Sequence, residues 1–288
     1  MSGGRSRLED PADILRRPDR PPDRESFLRL LEDAEEEFSE IRHLLEVEGP
    51  AWPVLFVGDT HGDLESAVRA KELADERGAS VVFLGDYVDR GPNQIETLSF
   101  VLAWRHVEPE RVVILRGNHE SPITNPYYGF LRAVVGLYDI QVYEQATRAF
   151  AQLPYAARIG GEVLAVHGGV PKGISRVEEI ASLPKGDLNP DHPVAMQLLW
   201  NDPDESVEEF APSVRGPGVF RFGWRAFHDF MESSGLRLLV RAHEFFPEGV
   251  RTFFEGRLLS VFSCRFYGGT PAAVLMDEGL GWRMIPLS

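Results

Sequence analysis

Five short apolar runs, four of them running into glycine and all closing on charged, amide or imidazole side chains, constrain this chain more than any other feature. They read VLFVGDTHG (54–62), VVFLGDYVDRG (81–91), VVILRGNHE (112–120), VLAVHGG (163–169) and LRLLVRAHE (236–244). Runs this short and rich in β-branched residues predict buried strands. Helical spacing separates the first three, over Leu64–Arg77 and Ile95–Arg105, so strands alternate with helices. The class is α/β, its strands covered on both faces. LLSVF (258–262) and AAVLM (272–276) predict two further strands. Carboxylates, amides and imidazoles are costly to bury unpartnered, so something charged has to meet them where the strands stop. In α/β sheets ligands bind in the crevice outside the carboxyl ends of strands, where the loops converge.

Collecting those side chains gives Asp59, His61, Asp86, Asn118, His167 and His243. Mixed oxygen and nitrogen donors without cysteine suit manganese, iron or zinc. Six ligands exceed the need of one tetrahedral site with an open position, but suffice for two divalent or trivalent ions if one carboxylate bridges. Two cations ~4 Å apart can grip both oxygens of an in-line phosphoryl displacement and depress the pKa of a bound water toward ~7.

The remaining chain narrows the setting. Residues 1–24, rich in Arg, Asp and Pro, read as a mobile arm. Glu25–Val47 carries apolar residues at Phe27, Leu31, Ala34, Phe38, Ile41 and Leu45, the stripe of an amphipathic helix. The expected organisation is this arm and helix over 1–49 and a catalytic domain over 50–288. A formal net charge of -15 opposes binding to nucleic acid or anionic membrane. Cys264 is the one cysteine, which excludes an internal disulfide and fits a reducing, cytoplasmic setting. No signal peptide or membrane span is expected. His43, His106, His192 and His228 stand outside the motifs and read as ordinary core or surface histidines.

The ordered set G-D-x-H-G, G-D-Y-V-D-R-G, G-N-H-E, H-G-G and R-A-H-E resembles the phosphoprotein phosphatase family of metal-dependent Ser/Thr phosphatases. YYGF (127–130), LLWNDPD (198–204) and RFG (221–223) add to the similarity, which covers about residues 52–280. The resemblance implies a central β-sandwich flanked by helices, the four-layer α/β/β/α metallophosphoesterase fold. It implies that Asp59, His61 and Asp86 hold one metal, and that Asp86, bridging, holds the other with Asn118, His167 and His243. His119 would be the general acid for the leaving serine or threonine oxygen, oriented by Asp89. Arg90 and Arg215 would bind phosphate oxygens, with Arg221 and Arg225 as alternatives to Arg215, and Tyr267 matches the family's active-site tyrosine. Hydroxide held on the metals would attack phosphorylated protein substrates directly, without a phosphoenzyme.

Glu120 and Glu244 are expected to orient loops, Trp200, Asn201 and Asp202 to shape the site from behind, and Asp63 to cap a helix. The family's C-terminal loop usually reads S-A-P-N-Y-C, whereas this chain reads SCRFYGG (263–269). Toxin-inhibitor sensitivity is therefore not implied, and no regulatory-subunit groove is matched. Hydrolysis of diadenosine polyphosphates on the same scaffold is the competing activity; Asp89 and Glu120 favour the monoester. An inactive metal-binding regulator is the third reading, opposed by the complete ligand set.

Overall fold

Alternation along the strands decides which layer each side chain enters. In Val54–Val57, Leu55 and Val57 face one way and Val54 and Phe56 the other, because successive strand side chains point to opposite faces. Ser80–Phe83 and Val112–Ile114 obey the same rule. The computed structural model describes residues 8–288.

These strands lie in a five-stranded sheet ordered Trp282–Pro286, Ala272–Met276, Val54–Val57, Ser80–Phe83, Val112–Ile114. The last three run parallel, and the first two pairings are antiparallel. A second sheet of six strands is ordered Leu44–Val47, Ala156–Ile159, Val163–Val166, Leu238–Arg241, Leu258–Val261, Val250–Phe253. The two sheets face each other across one apolar core, in which Val54, Phe56 and Val82 meet Ala165, Val240 and Val261. Helices Arg24–Ser39, Leu64–Arg77, Gln94–Val107 and Ile140–Gln152 cover the outer face of the five-stranded sheet, and Pro193–Trp200 with Trp224–Ser233 cover the other. The expected four-layer α/β/β/α sandwich is the observed architecture. A small third sheet, Asp202–Pro203, Phe220–Phe222 and Phe210–Pro212, carries the segment around Arg215.

Two expectations about the N-terminal part do not hold. Residues 8–24 are not a free arm: Pro11–Arg16 is a helix whose Ile14 is buried in the same core as Leu55 and Phe83. Asp10 caps it by accepting from Ala12 N at 2.9 Å, and Pro11 occupies the first turn, where a missing N–H removes no helical bond. Residues 1–7 lie outside the described residues. The second helix ends at Ser39, and Leu44–Val47 is instead a strand paired in parallel with Ala156–Ile159. Ladder bonds and burial of Leu44 override the helical spacing of Ile41 and Leu45. Residues 8–49 therefore share both sheet and core with the rest of the chain, and position 49/50 is not a boundary between packed units. No helix among the described residues is long and apolar enough to cross a membrane.

His43, just before that strand, is fully buried, its ring stacked on Tyr155 at 4.2 Å and its Nε2 donating to Pro184 O at 3.0 Å. Burial first, and the nearby Lys185 charge second, push its pKa down to about 3. The unfolded chain, with a histidine near 6.5, therefore takes up a proton that the folded chain refuses. The associated stability is complete above pH ~6.5 and is lost as pH falls toward 3. Between pH 7 and pH 5 the wild type is expected to lose about 2 kcal/mol more unfolding free energy than His43→Phe. Urea titrations at the two pH values check this, and equal losses would refute it.

Candidate metal centre and active site

The strand ends converge as their motifs require. Asp59, His61, Asp86, Asn118, His119, Arg90, Arg215, His243 and Tyr267 all line one cavity of about 360 Å³, while His167 and Asp89 are wholly buried behind it. Five site residues, His61, Asp86, Asp89, Arg90 and His243, adopt left-handed backbone angles with φ between 45° and 71°. Such geometry costs on the order of 1–3 kcal/mol per non-glycine residue and is tolerated where surrounding structure enforces it. Glu120 supplies part of that enforcement: its buried carboxylate accepts from Asp86 N (2.7 Å), Tyr87 N (2.9 Å) and Gly117 N (2.8 Å). It thus ties the second and third motif loops together. Gly117 has to be glycine here, since a Cβ would collide with Asp86 Oδ1.

The tautomers are set by backbone carbonyls, which only accept. His61 Nδ1 donates to Val88 O at 3.0 Å and His167 Nδ1 to Leu84 O at 2.9 Å, leaving each Nε2 with a lone pair aimed at the cluster. His61 Nε2 lies 3.6 Å from Asp86 Oδ2 and 3.7 Å from Asp59 Oδ2. His167 Nε2 lies 2.8 Å from Asn118 Oδ1, 3.2 Å from His243 Nδ1 and 3.5 Å from Asp86 Oδ2. Lone-pair donors this close repel one another unless a proton or a cation sits between them. His243 Nε2 is buried with no hydrogen-bond partner among the described residues, and His243 N anchors on Asp59 Oδ1 at 2.9 Å.

Electrostatics points the same way. Burial pushes the Asp59 carboxyl up to about 7. Burial, reinforced by the Asp59 and Glu120 charges, raises Asp86 far above the carboxylate range. Burial likewise holds His61, His167 and His243 well below 6.5, so their imidazoles are neutral. Neutral imidazoles and carboxyls short of positive charge are what a pair of cations would complete. The residues present fit two metal ions.

Two donor clusters share Asp86: His61, Asp86 and His119 form one and Asp86, His167 and His243 the other, the donor atoms of each lying within 4.8 Å of one another. Asp86 thus occupies the central position expected of a bridge. His119, read from sequence as an acid, stands within reach of the first cluster. Its Nδ1 is taken by Asp89 Oδ2 at 2.7 Å. Asp89 is itself fixed by Asn125 Nδ2 at 3.1 Å and Phe130 N at 3.0 Å.

Arg90 places its guanidinium 4.3 Å from the Tyr128 ring centroid and 5.7 Å from that of Tyr267. Arg215 reaches the cavity while paired with Asp202. The alternatives are committed elsewhere, Arg221 to Asp204 and Arg225 to Glu208 and Glu209. Trp200 and Glu244 line the cavity; Asn201 braces its back through Val170 O. Asp63 does cap the helix Leu64–Arg77, but it is fully buried and also grips Arg265. Sequence reasoning missed Tyr128 and Phe245 as walls, Asn125 as a brace and Arg241 as a buried hub. YYGF holds Tyr128, and Arg241 and Phe245 flank the motif histidine 243; nothing local marks Asn125.

A sequence profile of calcineurin-like phosphoesterases matches residues 53–246, a span that holds all six donor residues. The serine/threonine-protein phosphatase BSL2 of Arabidopsis thaliana is 34% identical over 275 residues, 87% of this chain and 26% of that protein. The chain therefore spans about a quarter of that relative's length. A solved protein serine/threonine phosphatase of Saccharomyces cerevisiae, described as similar to human phosphatase PP5, superposes with a TM-score of 0.82 at 24% identity, over 91% of this chain and 89% of that one. A cold-active protein-tyrosine phosphatase of a psychrophilic Shewanella shares the fold with a TM-score of 0.63 at 16% identity, over 88% and 84% of the two chains.

Proposed function

This chain belongs to the calcineurin-like phosphoesterase family, and from that premise we propose that it is a phosphoprotein phosphatase hydrolysing phosphoserine and phosphothreonine monoesters. The 34% identity to a serine/threonine phosphatase across 87% of the chain supports the choice of substrate class. The observation that carries the chemistry is the shared Asp86, standing in two donor clusters at a cavity that is also lined by two arginines and by His119, whose partner Asp89 is buried behind it.

Asp59, His61 and Asp86 would hold one ion and Asp86, Asn118, His167 and His243 the other, with manganese, iron or zinc the chemically suited metals. Bound there, the ions supply Lewis-acid charge to the phosphoryl oxygens and lower the pKa of water. Arg90 and Arg215 bind the remaining phosphoryl oxygens and offset charge that grows toward the transition state. Stacking on Tyr128 keeps the Arg90 guanidinium presented to the cavity. Tyr267 closes one wall beside it. His119 presents Nε2 to the leaving oxygen and hands it a proton, because Asp89 holds the opposite nitrogen. Burial lowers the basicity of His119, and the Asp89 hydrogen bond restores part of it. An alkoxide leaves poorly without a proton, so the pair serves a serine or threonine ester in particular.

Phosphate release from a phosphoserine peptide with added manganese, set against cleavage of diadenosine tetraphosphate, tests the reading. The peptide is expected to be preferred, and chelation should remove the activity until metal is restored. Preference for the dinucleotide, or turnover untouched by chelator, would overturn it.

A further inference from the structure

The loop bearing Tyr267 is packed through buried Cys264 and through the Tyr267 ring, which meets Phe262 and Phe245, but few hydrogen bonds hold it. Residues 264–269 include the half-exposed Phe266 and two glycines, of which Gly268 sits at φ +81°. Ser263 pins the start of the loop through Gly58 N and Ala272 O, and Thr270 N pins its end on Pro247 O. Between those pins, among the described residues, Arg265 makes every hydrogen bond that ties the segment to the rest of the chain. Its backbone N–H donates to Asp63 Oδ2 at 2.9 Å, and its Nε and a terminal nitrogen donate to Asp63 Oδ1 at 2.9 and 2.7 Å. A further bond reaches Glu65.

Asp63 is an unusually firm anchor. Its carboxylate is fully buried, accepts from Ser66 N and Ser66 Oγ at the start of the helix Leu64–Arg77, and stands two residues after the donor His61. Arg265 precedes Tyr267 by two residues within a single helical turn, Arg265–Tyr267. The Tyr267 ring then lies stacked 5.7 Å from the His61 ring and 5.7 Å from the Arg90 guanidinium. Both ends of the ion pair are thus rigidly coupled to groups on the cavity wall.

We propose that Arg265 is a positioning residue: its grip on Asp63 holds the 264–269 loop so that Tyr267 stays against His61 and facing Arg90. Arg265 does not line the cavity, so it acts through Tyr267. The effect on turnover rests on the phosphatase reading; the effect on the loop does not.

Two measurements on the full chain separate these. Amide hydrogen exchange across 263–269 is expected to be slow in the wild type, fast in Arg265→Ala and in Asp63→Asn, and intermediate in Arg265→Lys, whose single ammonium cannot reproduce the planar fork. Asparagine caps helices as well as aspartate, so Asp63→Asn removes the charge while keeping the helix start. In turnover of a phosphoserine peptide, Arg265→Ala is expected to lower kcat/KM by ~10-fold. The same substitution made in Tyr267→Ala should cost about twofold or less, since residues acting through one another do not add. Unchanged exchange across 263–269, or an equal loss in both backgrounds, would overturn the proposal. A wild type without phosphatase turnover overturns the functional reading instead, and the exchange data still decide the clamp.

Discussion

Replacing His119 with asparagine is expected to lower kcat on a phosphoserine peptide by ~10²–10⁴-fold, with KM nearly unchanged. The imidazole is immobilised before any substrate arrives: Asp89, fully buried, takes its Nδ1 at 2.7 Å and is in turn held by Asn125 and the Phe130 N–H. Asparagine has no proton to give at the Nε2 position. The loss should shrink sharply on p-nitrophenyl phosphate, whose phenolate leaves without protonation, and that dependence on the leaving group is the signature of an acid. Because His119 also lies in the donor cluster with His61 and Asp86, metal content has to be measured alongside. Two metals per chain in the variant fit a proton donor. Loss of one metal, with equal loss on both substrates, would make His119 a ligand and sink the assignment.

What the sequence reveals of this site is the part built from neighbours in the chain. Asp59 with His61, Asp86 with Asp89 and Arg90, and Asn118 with His119 and Glu120 each arrive on one strand-to-loop junction. Apolar runs ending in glycine and polar residues therefore expose them directly. The strands that escape notice lack that contrast. Ala156–Ile159 reads AARI, and Trp282–Pro286 is an edge strand exposed over most of its length, so neither shows the buried β-branched run that marks Val54–Val57. The prolines near the N-terminus mislead for a related reason, since Pro11 breaks nothing at a first turn. Contacts between distant segments leave no local trace at all: Arg265 and Asp63 lie 202 positions apart. The same holds for the junction of Arg241 with Asp202, 39 positions apart.

That junction sets the largest stability effect expected away from the metals. Arg241 has no exposed surface, yet it donates to Gly168 O at 2.6 Å, Asp202 Oδ1 at 2.9 Å and Glu244 Oε2 at 2.9 Å. Burial already raises the Glu244 carboxyl, and the Arg241 charge is what pulls it back. Arg241→Met leaves the Glu244 carboxylate without its arginine and Asp202 with Arg215 alone, so it is expected to cost ~3 kcal/mol, the lower end for a broken buried pair. For a chain of this size that corresponds to a fall in Tm of order 10 °C. Arg225→Ala is the control: its pairs with Glu208 and Glu209 are solvent-exposed, and such pairs contribute ~0–1 kcal/mol, so its Tm should move by only a few degrees. Adding Glu244→Gln to Arg241→Met should recover part of the loss by removing one stranded charge. Equal, small shifts in Arg241→Met and Arg225→Ala would show that Asp202 and Glu244 do not depend on Arg241. The buried arginine also does here what a methionine of similar size could not. Through Asp202 it fixes the anchor of Arg215, and with it the second guanidinium at the cavity.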